Sequence, residues 1–255
     1  MPSGPRETIY GRNAAFEVIR AGRRRVYRLI LAEGTAPKGR LQEAVEAAEA
    51  RQIPIVRVPR AELDRASDSH HGAAVVVGPY PYVDVGEILD HARLTGDPPF
   101  ILILDALQDP QNFGTLLRSA EAVGVHGVVI PRHQSVGVTE GVVRASAGAC
   151  EHLLIAAANL AQAIRRLKEE GLWVVGLEHH REAPPLEGDR LAGPLALVIG
   201  SEGAGLRRLV REECDTTVRL PMRGRVESLN AAVAGSVALY EAWKARGYRG
   251  AGGSD

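Results

Sequence analysis

Three loops of the sequence carry polar side chains at points where a strand is expected to end or a helix to begin. The first contains Asn112 and Arg118, the second contains Glu202, and the third contains Ser228 and Asn230. Amide, hydroxyl and guanidinium groups can orient a substrate and stabilise developing charge, and the free N–H groups at a helix start can bind a ligand. Neither His nor Cys occurs in these loops, so they predict alignment and electrostatic stabilisation instead of imidazole or thiolate chemistry.

The second loop is rich in glycine and follows an apolar strand within Leu197–Leu206. It lacks the Lys-Ser/Thr pair of a phosphate-binding P-loop and does not match the Gly-x-Gly-x-x-Gly pattern of dinucleotide sites. Glu202 within the loop disfavours a phosphate ligand, and no nearby acidic residue stands out as a partner for a ribose hydroxyl. Because glycine allows the backbone to approach a flat or charged ligand closely, this loop predicts a ligand without phosphates.

The third loop, Leu220–Asn230, leads into a helix rich in Ala and Gly, which can pack closely against other backbone. Each loop alone also has a structural interpretation. Asn112 can cap its helix while Arg118 is a solvated charge, the glycine loop can be a tight turn, and the slim helix can be core. Because all three loops lie at the ends of predicted elements, together they indicate one shared site.

The elements that would position these loops alternate between strands and helices. Phe100–Leu104 is a continuous apolar run, typical of a central strand in a parallel sheet. Further strands are predicted at Gly127–Ile130, His152–Ala156, Leu172–Leu177 and Leu195–Ile199. This pattern predicts an α/β fold whose mostly parallel sheet has helices on both faces and binds ligands at the carboxyl ends of its strands.

The N-terminal part of the chain forms a separate small α/β unit in this prediction. Residues 8–21 are expected to be a helix and Ile53–Val58 a strand, which Pro54 places at a sheet edge. Stretches rich in Pro and Gly mark a linker after this unit. The predicted order is a substrate-binding unit, a linker, a second unit and a flexible tail, at residues 1–78, 79–98, 99–247 and 248–255.

Charge is unevenly distributed over a chain whose formal net charge is zero. Residues 1–60 contain 12 Lys/Arg and 6 Asp/Glu, a balance of +6, whereas residues 61–100 contain 2 and 7, a balance of −5. Only three of the 31 basic residues are lysine. Arginine binds phosphate bidentately and stacks on bases, which favours RNA contact, although a GC-rich genome would also enrich arginine. The candidate phosphate contacts are Arg12, Arg23, Arg24 and Arg25.

The length, the hydrophobic content and the cysteines limit the class of protein. At 255 residues and 45% hydrophobic content the chain can bury one large core or two smaller ones. No apolar run is long enough to span a membrane, and the N-terminus lacks the apolar stretch of a signal peptide. Cys150 and Cys214 form neither a disulfide framework nor a metal-ligand spacing. We therefore expect a reduced, cytoplasmic protein without a metal cofactor.

Three motifs in the loops carry a family resemblance. They read Asp-Pro-x-Asn-x-Gly-x-x-x-Arg, Val-Ile-Gly-Ser-Glu-Gly-x-Gly-Leu and Leu-Pro-Met-x-Gly-x-Val-x-Ser-Leu-Asn, at residues 109–118, 198–206 and 220–230. In order and spacing they resemble the motifs of SpoU-type methyltransferases of the SPOUT class. The N-terminal unit is similar to the RNA-binding domain of the RlmB-type 23S rRNA guanosine 2′-O-methyltransferases, with His70-His71-Gly72 where that family often has His-Gln-Gly.

The resemblance implies a fold and a reaction. The C-terminal domain would contain a deep trefoil knot, and a homodimer would complete each active site across its interface. S-Adenosyl-L-methionine would bind bent in the knot, with its adenine recognised by backbone around Gly200, Leu220 and Leu229. The catalytic roles of the family carry over to five residues: Asn112, Arg118, Glu202, Ser228 and Asn230. The implied reaction methylates the ribose 2′-OH of a guanosine in 23S rRNA.

Within that reaction we expect Arg118 to bind the target phosphate and to stabilise the developing 2′-alkoxide, because guanidinium is normally always protonated. A role as base with help from a phosphate, which has been proposed for this arginine in the family, stays open. Three alternative functions also remain: a tRNA guanosine 2′-O-methyltransferase, a ribosome-modifying resistance enzyme, and a non-catalytic RNA-binding or ribosome-assembly factor with the same fold.

Overall fold

The structure is a computed structural model that describes residues 5–133, 136–180, 182–188, 191–201, 203, 205–226 and 228–252. It separates into two units that each have their own sheet. The first comprises the chain up to Pro81 together with Gly137–His152, and the second comprises Tyr82–Val136 and the chain from Leu153 onward. Within the described residues, no helix is long and apolar enough to cross a membrane.

The first unit is a four-stranded sheet with helices. Its elements are β1 (Glu7–Tyr10), α1 (Arg12–Ala21), β2 (Val26–Ala32), α2 (Arg40–Ala50), β3 (Ile55–Val58), α3 (Arg60–Asp64), β4 (Ala73–Val77) and, later in the chain, α6 (Glu140–Ala145) with a 3₁₀ turn at Ala149–His152. The strand order is β1-β4-β2-β3. The strand after Pro54 therefore lies at the sheet edge, as predicted.

The predicted helix over residues 8–21 is wrong at its beginning. Residues Glu7–Tyr10 form β1, which pairs antiparallel with β4, and α1 begins only at Arg12. Ile9 and Tyr10 favour a strand, and Ile9 is fully buried against the sheet. Gly11 separates the two elements because its φ of 110° lies outside the helical region.

The second unit has a six-stranded sheet in which every neighbouring pair is parallel, which confirms the predicted α/β architecture. Its elements are α4 (Val85–Thr95), β5 (Phe100–Leu104), α5 (Pro110–Ala122), β6 (Gly127–Pro131), β7 (Ile155–Ala158), α7 (Leu160–Glu169), β8 (Trp173–Leu177), β9 (Leu195–Ile199), α8 (Arg208–Glu213), β10 (Thr216–Val218) and α9 (Ala231–Ala245). The strand order is β10-β8-β9-β5-β6-β7.

The register of the central strands brings three loops to one edge of this sheet. The last residues of β5, β8 and β9 are aligned, with Leu104 and Leu177 both paired to Ile199. The chain therefore leaves all three strands at the same level, immediately before Asp105, Glu178 and Gly200. The carboxyl edge of a parallel sheet is where α/β proteins bind ligands, so this alignment positions the candidate site.

Helix α9 packs against α5 through small residues, as its sequence predicts. A Cβ atom on Gly235 would lie 2.5 Å from the Leu116 side chain and 3.3 Å from Ile199, so glycine is needed for this close approach. The hydroxyls of Ser119 and Ser236 lie 2.7 Å apart across the same contact. These contacts hold the beginning of α9 beside the beginning of α5, which joins the third loop to the first.

Candidate active site

A cavity of about 320 Å³ lies at the carboxyl edge of the six-stranded sheet. It is walled by the ends of β8 and β9, the loop that follows β10, and the beginning of α9. The described lining residues are Leu177, Glu178, His179, Ile199, Gly200, Ser201, Gly203, Gly205, Leu220, Met222, Ser228, Leu229, Asn230, Ala231 and Ala234. The structure thus brings together Gly200, Leu220, Ser228, Leu229 and Asn230, which are five of the predicted site residues.

The glycine-rich loop forms a tight turn on one wall of this cavity. The backbone N–H of Ser201 donates to the Gly205 carbonyl at 3.2 Å, and the N–H of Gly205 donates to the Ser201 carbonyl at 3.1 Å. A Cβ atom on Gly200 would come within 2.3 Å of the Gly205 backbone, so only glycine allows this closure. The glycines of the second motif are therefore needed for the tight turn that forms this wall of the cavity.

A buried carboxylate fixes the end of that turn. Asp105, which follows β5 directly and is fully buried, accepts hydrogen bonds from the backbone N–H of Arg207 at 2.8 Å and from its Nε at 2.6 Å. The end of the first strand of the unit thereby anchors the second motif loop. A hydrogen-bonded charge pair at this position stabilises the loop more than a neutral bond would.

The first and third motifs meet through a pair of asparagines. Asp109 caps α5, because its side chain accepts from the backbone N–H groups of Gln111 and Asn112. The Asn112 side chain is therefore not the helix cap, and its Oδ1 accepts from Asn230 Nδ2 at 3.0 Å. Asn230 also caps α9 by accepting from the N–H groups of Ala232 and Val233. This bond ties the two helix starts together beside the cavity.

One predicted catalytic residue stands apart from this cluster. Arg118 lies on α5, is exposed and is not among the residues that line the cavity. In the described part of the chain its guanidinium has no ion pair or hydrogen bond. Glu202 lies outside the described residues.

Glu178 is a lining residue that sequence reasoning missed. Its carboxylate is buried, and Oε1 accepts from Arg211 Nε at 2.8 Å. Oε2 has no hydrogen-bond donor among the described residues. A polar residue directly after an apolar strand is the signal that selected the other loops, and Glu178 follows the predicted strand Leu172–Leu177. The same signal could therefore have identified it.

The described lining residues fit the cofactor that the resemblance implies. Apolar side chains, among them Ile199, Leu220 and Leu229, supply surface for a flat ring. The spare oxygen of Glu178 supplies an acceptor for a neutral donor. No lysine or arginine is among the described lining residues, in accordance with a ligand that has no phosphates. S-Adenosyl-L-methionine has these properties, since it combines an adenosine with a sulfonium and lacks phosphate.

The two cysteines are shielded from nucleophilic chemistry. Burial raises the pKa of Cys214 to about 12, and burial also raises the pKa of Cys150 to about 12. Both therefore remain thiols near neutral pH, and a thiol is a much weaker nucleophile than a thiolate. This accords with a site built from amide, hydroxyl and guanidinium groups.

One of the predicted RNA contacts, Arg24 in the first unit, is wrong. Arg24 is only 4% exposed, and its guanidinium bonds to the carboxylates of Glu151 and Glu7. Burial removes Arg24 from the candidate phosphate contacts. Arg23 is half-buried and donates to the Tyr80 hydroxyl at 2.8 Å and to the Pro81 carbonyl at 3.2 Å. Arg25 is exposed and lies over the Tyr27 ring, with its Cζ 5.1 Å from the ring centroid.

Arg12 lines a second cavity of about 280 Å³ in the first unit, together with Arg144. The Arg12 guanidinium donates to the His71 carbonyl, and Arg144 donates to the Ser69 hydroxyl at 2.8 Å. Sequence reasoning missed Arg144 because it lies far along the chain in α6. The neighbouring His70 is buried and bonded to Asp64 and to the Gly72 N–H, so it is part of the fold.

Comparison with known proteins agrees with the motifs. Residues 99–240 match the SpoU rRNA methylase family, and residues 8–83 match the RNA 2′-O ribose methyltransferase substrate-binding family. The Bacillus subtilis (strain 168) protein YacO, which carries the name of a TrmH family tRNA/rRNA methyltransferase, is 42% identical over 242 residues, covering 93% of this chain and 95% of YacO.

Solved structures share the fold over nearly the whole chain. The SpoU methyltransferase AviRb from Streptomyces viridochromogenes, solved with its cofactor AdoMet, has a TM-score of 0.76 at 24% identity, covering 95% of this chain and 91% of AviRb. A solved RNA 2′-O ribose methyltransferase has a TM-score of 0.73 at 27% identity, covering 94% and 89% of the two chains. The chain therefore belongs to the SpoU methyltransferase family, as an RNA 2′-O-ribose methyltransferase whose methyl donor is S-adenosyl-L-methionine.

Proposed function

We propose that this protein methylates the ribose 2′-OH of a guanosine in 23S rRNA at the cavity beside α9. The observation that carries the proposal is the joining of three motifs at one place. The second and third motifs line the cavity, and Asn230 of the third is bonded to Asn112 of the first. The family that residues 99–240 match, the SpoU rRNA methylases, supports rRNA as the substrate class. The guanosine follows from the resemblance to the RlmB-type enzymes.

Different parts of the cavity wall are assigned to different parts of the cofactor. We assign the adenine of the cofactor to the backbone around Gly200, Leu220 and Leu229, where the lining is largely apolar. Ser228 and Asn230 lie in the same lining and offer a hydroxyl and an amide for the reacting end. When bound, the cofactor supplies a methyl group already activated by its sulfonium, so the protein must chiefly align the reactants.

The remaining residues act on the RNA ribose and its phosphate. Asn112 and Asn230, already held together at 3.0 Å, orient the ribose. Arg118 binds the phosphate of the target nucleotide and stabilises the 2′-alkoxide as the proton leaves. Glu202 holds Arg118 or a neighbouring loop. We expect Arg118→Ala to abolish methyl transfer while S-adenosyl-L-methionine binding, measured by calorimetry, is unchanged. Normal turnover in this variant would exclude the role.

We further propose that the active protein is a homodimer. One face of α9 carries large apolar side chains in contact with solvent: Val233, Val237 and Tyr240 are 49%, 42% and 47% exposed. Their spacing of four and three residues places them on one face of the helix. Exposed apolar faces of this kind mark protein interfaces. Arg118, exposed and away from the cavity of its own subunit, would then reach the cavity of the second subunit.

Mixed dimers test this arrangement. Arg118→Ala and Asn230→Ser would each inactivate a homodimer, and serine retains a helix cap on α9. When the two variants are co-expressed, a heterodimer has one site with both native residues if Arg118 acts across the interface. Random pairing then restores about a quarter of wild-type activity. No restored activity in purified heterodimers would show that Arg118 serves the site of its own subunit.

Substrate selection is assigned to the first unit. The proposed phosphate contacts are three exposed arginines: Arg12, Arg25 and Arg144. Arg25 together with Tyr27 also offers a surface on which a base could stack. Because phosphate contacts are largely sequence-independent, replacing any one of them should weaken RNA binding and its salt dependence without changing the methylated position.

The decisive experiment is mapping of 2′-O-methylation on 23S rRNA and tRNA transcripts treated with the protein. A single modified guanosine in the rRNA supports the proposal. Modification of tRNA alone would support the second candidate, a tRNA methyltransferase, which the tRNA/rRNA name of YacO favours. A protein that binds RNA but neither S-adenosyl-L-methionine nor its product would instead be a non-catalytic assembly factor.

Three features stay predictions. These are the trefoil knot, which the resemblance implies, the division into residues 1–78, 79–98, 99–247 and 248–255, and a cytoplasmic location. Limited proteolysis would test the division, because a linker at 79–98 should be cut before either unit is degraded.

A further inference from the structure

Glu178 lines the cavity and has one carboxylate oxygen without a hydrogen-bond donor among the described residues. The residue is 6% exposed at the end of β8, and its Oε1 is occupied by Arg211 Nε at 2.8 Å. Oε2 has no hydrogen-bond donor among the described residues, and His180 Nε2 lies 3.8 Å from it, beyond hydrogen-bond distance. Buried carboxylate oxygens without a donor are costly and uncommon in native proteins. A donor supplied by a ligand would remove this cost.

The surroundings of Glu178 hold that oxygen in place on the cavity wall. Arg211 also donates from Nη2 to the Leu206 carbonyl at 3.1 Å, so the guanidinium links Glu178 to the end of the glycine turn. A Cβ atom on Gly205 would lie 2.8 Å from Glu178 Oε2. Both Glu178 and Gly205 line the cavity. A larger residue at position 205 would therefore crowd this oxygen, and glycine leaves room beside it.

We propose that Glu178 Oε2 accepts a hydrogen bond from one ribose hydroxyl of the cofactor. This rests on the proposal that the cofactor occupies this cavity. The cofactor offers three kinds of donor: the ribose hydroxyls, the adenine amino group and the α-ammonium. Arg211 already balances the charge of Glu178, so the remaining oxygen suits a neutral donor better than a second cation. The adenine is assigned to the apolar wall, which leaves the ribose for Glu178.

Binding of S-adenosylhomocysteine and of its 2′-deoxy and 3′-deoxy analogues tests the assignment. Calorimetry with the full-length protein should show that one deoxy analogue binds about 10- to 100-fold more weakly than the parent, the range expected for a hydrogen bond to a charged group. Glu178→Gln should weaken binding of the parent by a similar factor and should abolish most of the discrimination between parent and analogue. A merely structural role would weaken all three ligands equally.

Glu187→Gln is the matched control, because Glu187 is exposed and follows the same strand without lining the cavity. It should bind and discriminate as the wild type does. Equal binding of parent and both analogues by the wild type, or full discrimination retained in Glu178→Gln, would overturn the assignment of Glu178 alone. Absence of any binding of S-adenosylhomocysteine to the wild type would overturn the proposed cofactor cavity as well. Circular dichroism and the melting temperature verify that each variant is folded.

Discussion

Two buried glutamates, each paired with an arginine, distinguish the two units of the molecule. In the first unit Glu151 is fully buried, and Arg24 Nε lies 3.0 Å from both of its oxygens. Arg24 is itself buried. In the second unit Glu178, at the wall of a cavity, uses one oxygen for Arg211, whose side chain is 41% exposed, and its other oxygen has no donor among the described residues. Both carboxylate oxygens of Glu151 are thus occupied within the protein, whereas one oxygen of Glu178 is not occupied by any described residue.

The difference separates a folding role from a binding role. Burial raises the pKa of Glu151 even though Arg24 acts in the opposite direction, so the pair is retained at a desolvation cost. It links the turn before β2 to the 3₁₀ turn after α6, which lies more than 120 residues later. Glu178 is equally shielded from water, but it lines a cavity, and one of its oxygens has no donor among the described residues. A buried acidic residue therefore indicates a ligand only when its hydrogen bonds are incomplete.

The largest expected effect on stability comes from breaking the Arg24–Glu151 pair. We expect Glu151→Gln to lower the free energy of unfolding by about 3–5 kcal/mol, because it leaves the Arg24 charge buried without its main partner. Urea denaturation would measure the loss. Glu49→Gln, at an exposed position of the same unit, should change stability by less than about 0.5 kcal/mol. A loss in Glu151→Gln no larger than in this control would contradict a structural role for the pair.

A smaller effect on stability is expected from breaking the Glu178–Arg211 pair. In the absence of ligand, Glu178→Gln should change the free energy of unfolding by less than about 1 kcal/mol, because the half-exposed Arg211 can be rehydrated when its partner loses charge. The same variant should lose the stabilisation that added S-adenosylhomocysteine gives the wild type, which a thermal shift would measure. If apo Glu178→Gln is destabilised as strongly as Glu151→Gln, the two glutamates do not differ in the proposed way.

The smallest effect concerns His126, a third buried polar side chain whose hydrogen bonds are complete. Its Nδ1 accepts from the Phe100 N–H at 3.0 Å, and its Nε2 lies 2.9 Å from Thr95 Oγ1. Burial lowers the pKa of His126, with further contributions from His91 and Arg246 against Asp97. Because the folded-state pKa lies below the unfolded-state value of about 6.5, stability is fully present above that pH and falls as the unfolded chain takes up the proton.

His126→Asn keeps an acceptor for Phe100 but cannot titrate. Between about pH 7.5 and pH 5.5 the wild type should therefore lose more unfolding free energy than His126→Asn. The difference between the two proteins, each denatured at both pH values, isolates the contribution of this residue. Identical losses would show that His126 titrates alike in the folded and unfolded chains.

Much of the site could be predicted because its signals are local. Polar residues directly after apolar strands, and glycines in a strand-to-helix turn, are readable from a few neighbouring residues. Gly200, Leu220, Ser228, Leu229 and Asn230 do line one cavity. Whether they bind the cofactor is a prediction for experiment. No acidic residue near the glycine loop stands out in the sequence as a partner for a ribose hydroxyl, because Glu178 approaches the loop only through strand pairing and lies 27 residues before Gly205 in the chain.

The sequence could not show which individual charged side chains are buried. Arg23, Arg24 and Arg25 read alike as a basic run, yet Arg24 is buried against Glu151 while Arg25 is exposed. The partner of Arg24 lies 127 residues away, so no local pattern reports it. Likewise, the cap of α5 is Asp109, which leaves the Asn112 side chain for Asn230, 118 residues later.

The sequence by itself determined the α/β class, the parallel sheet, the strand-end position of the loops and the family, because apolar periodicity and short motifs are properties of neighbouring residues. It misread the beginning of α1, where strand pairing of Glu7–Tyr10 with β4 outweighs the apparent helical pattern. Only the tertiary structure decided which charges are buried, that the Asn112 side chain pairs with Asn230, and which carboxylate oxygen has no donor among the described residues. Those outcomes depend on contacts between residues far apart in the chain, and hydrogen-bond completion can be judged only when every neighbour of an atom is known.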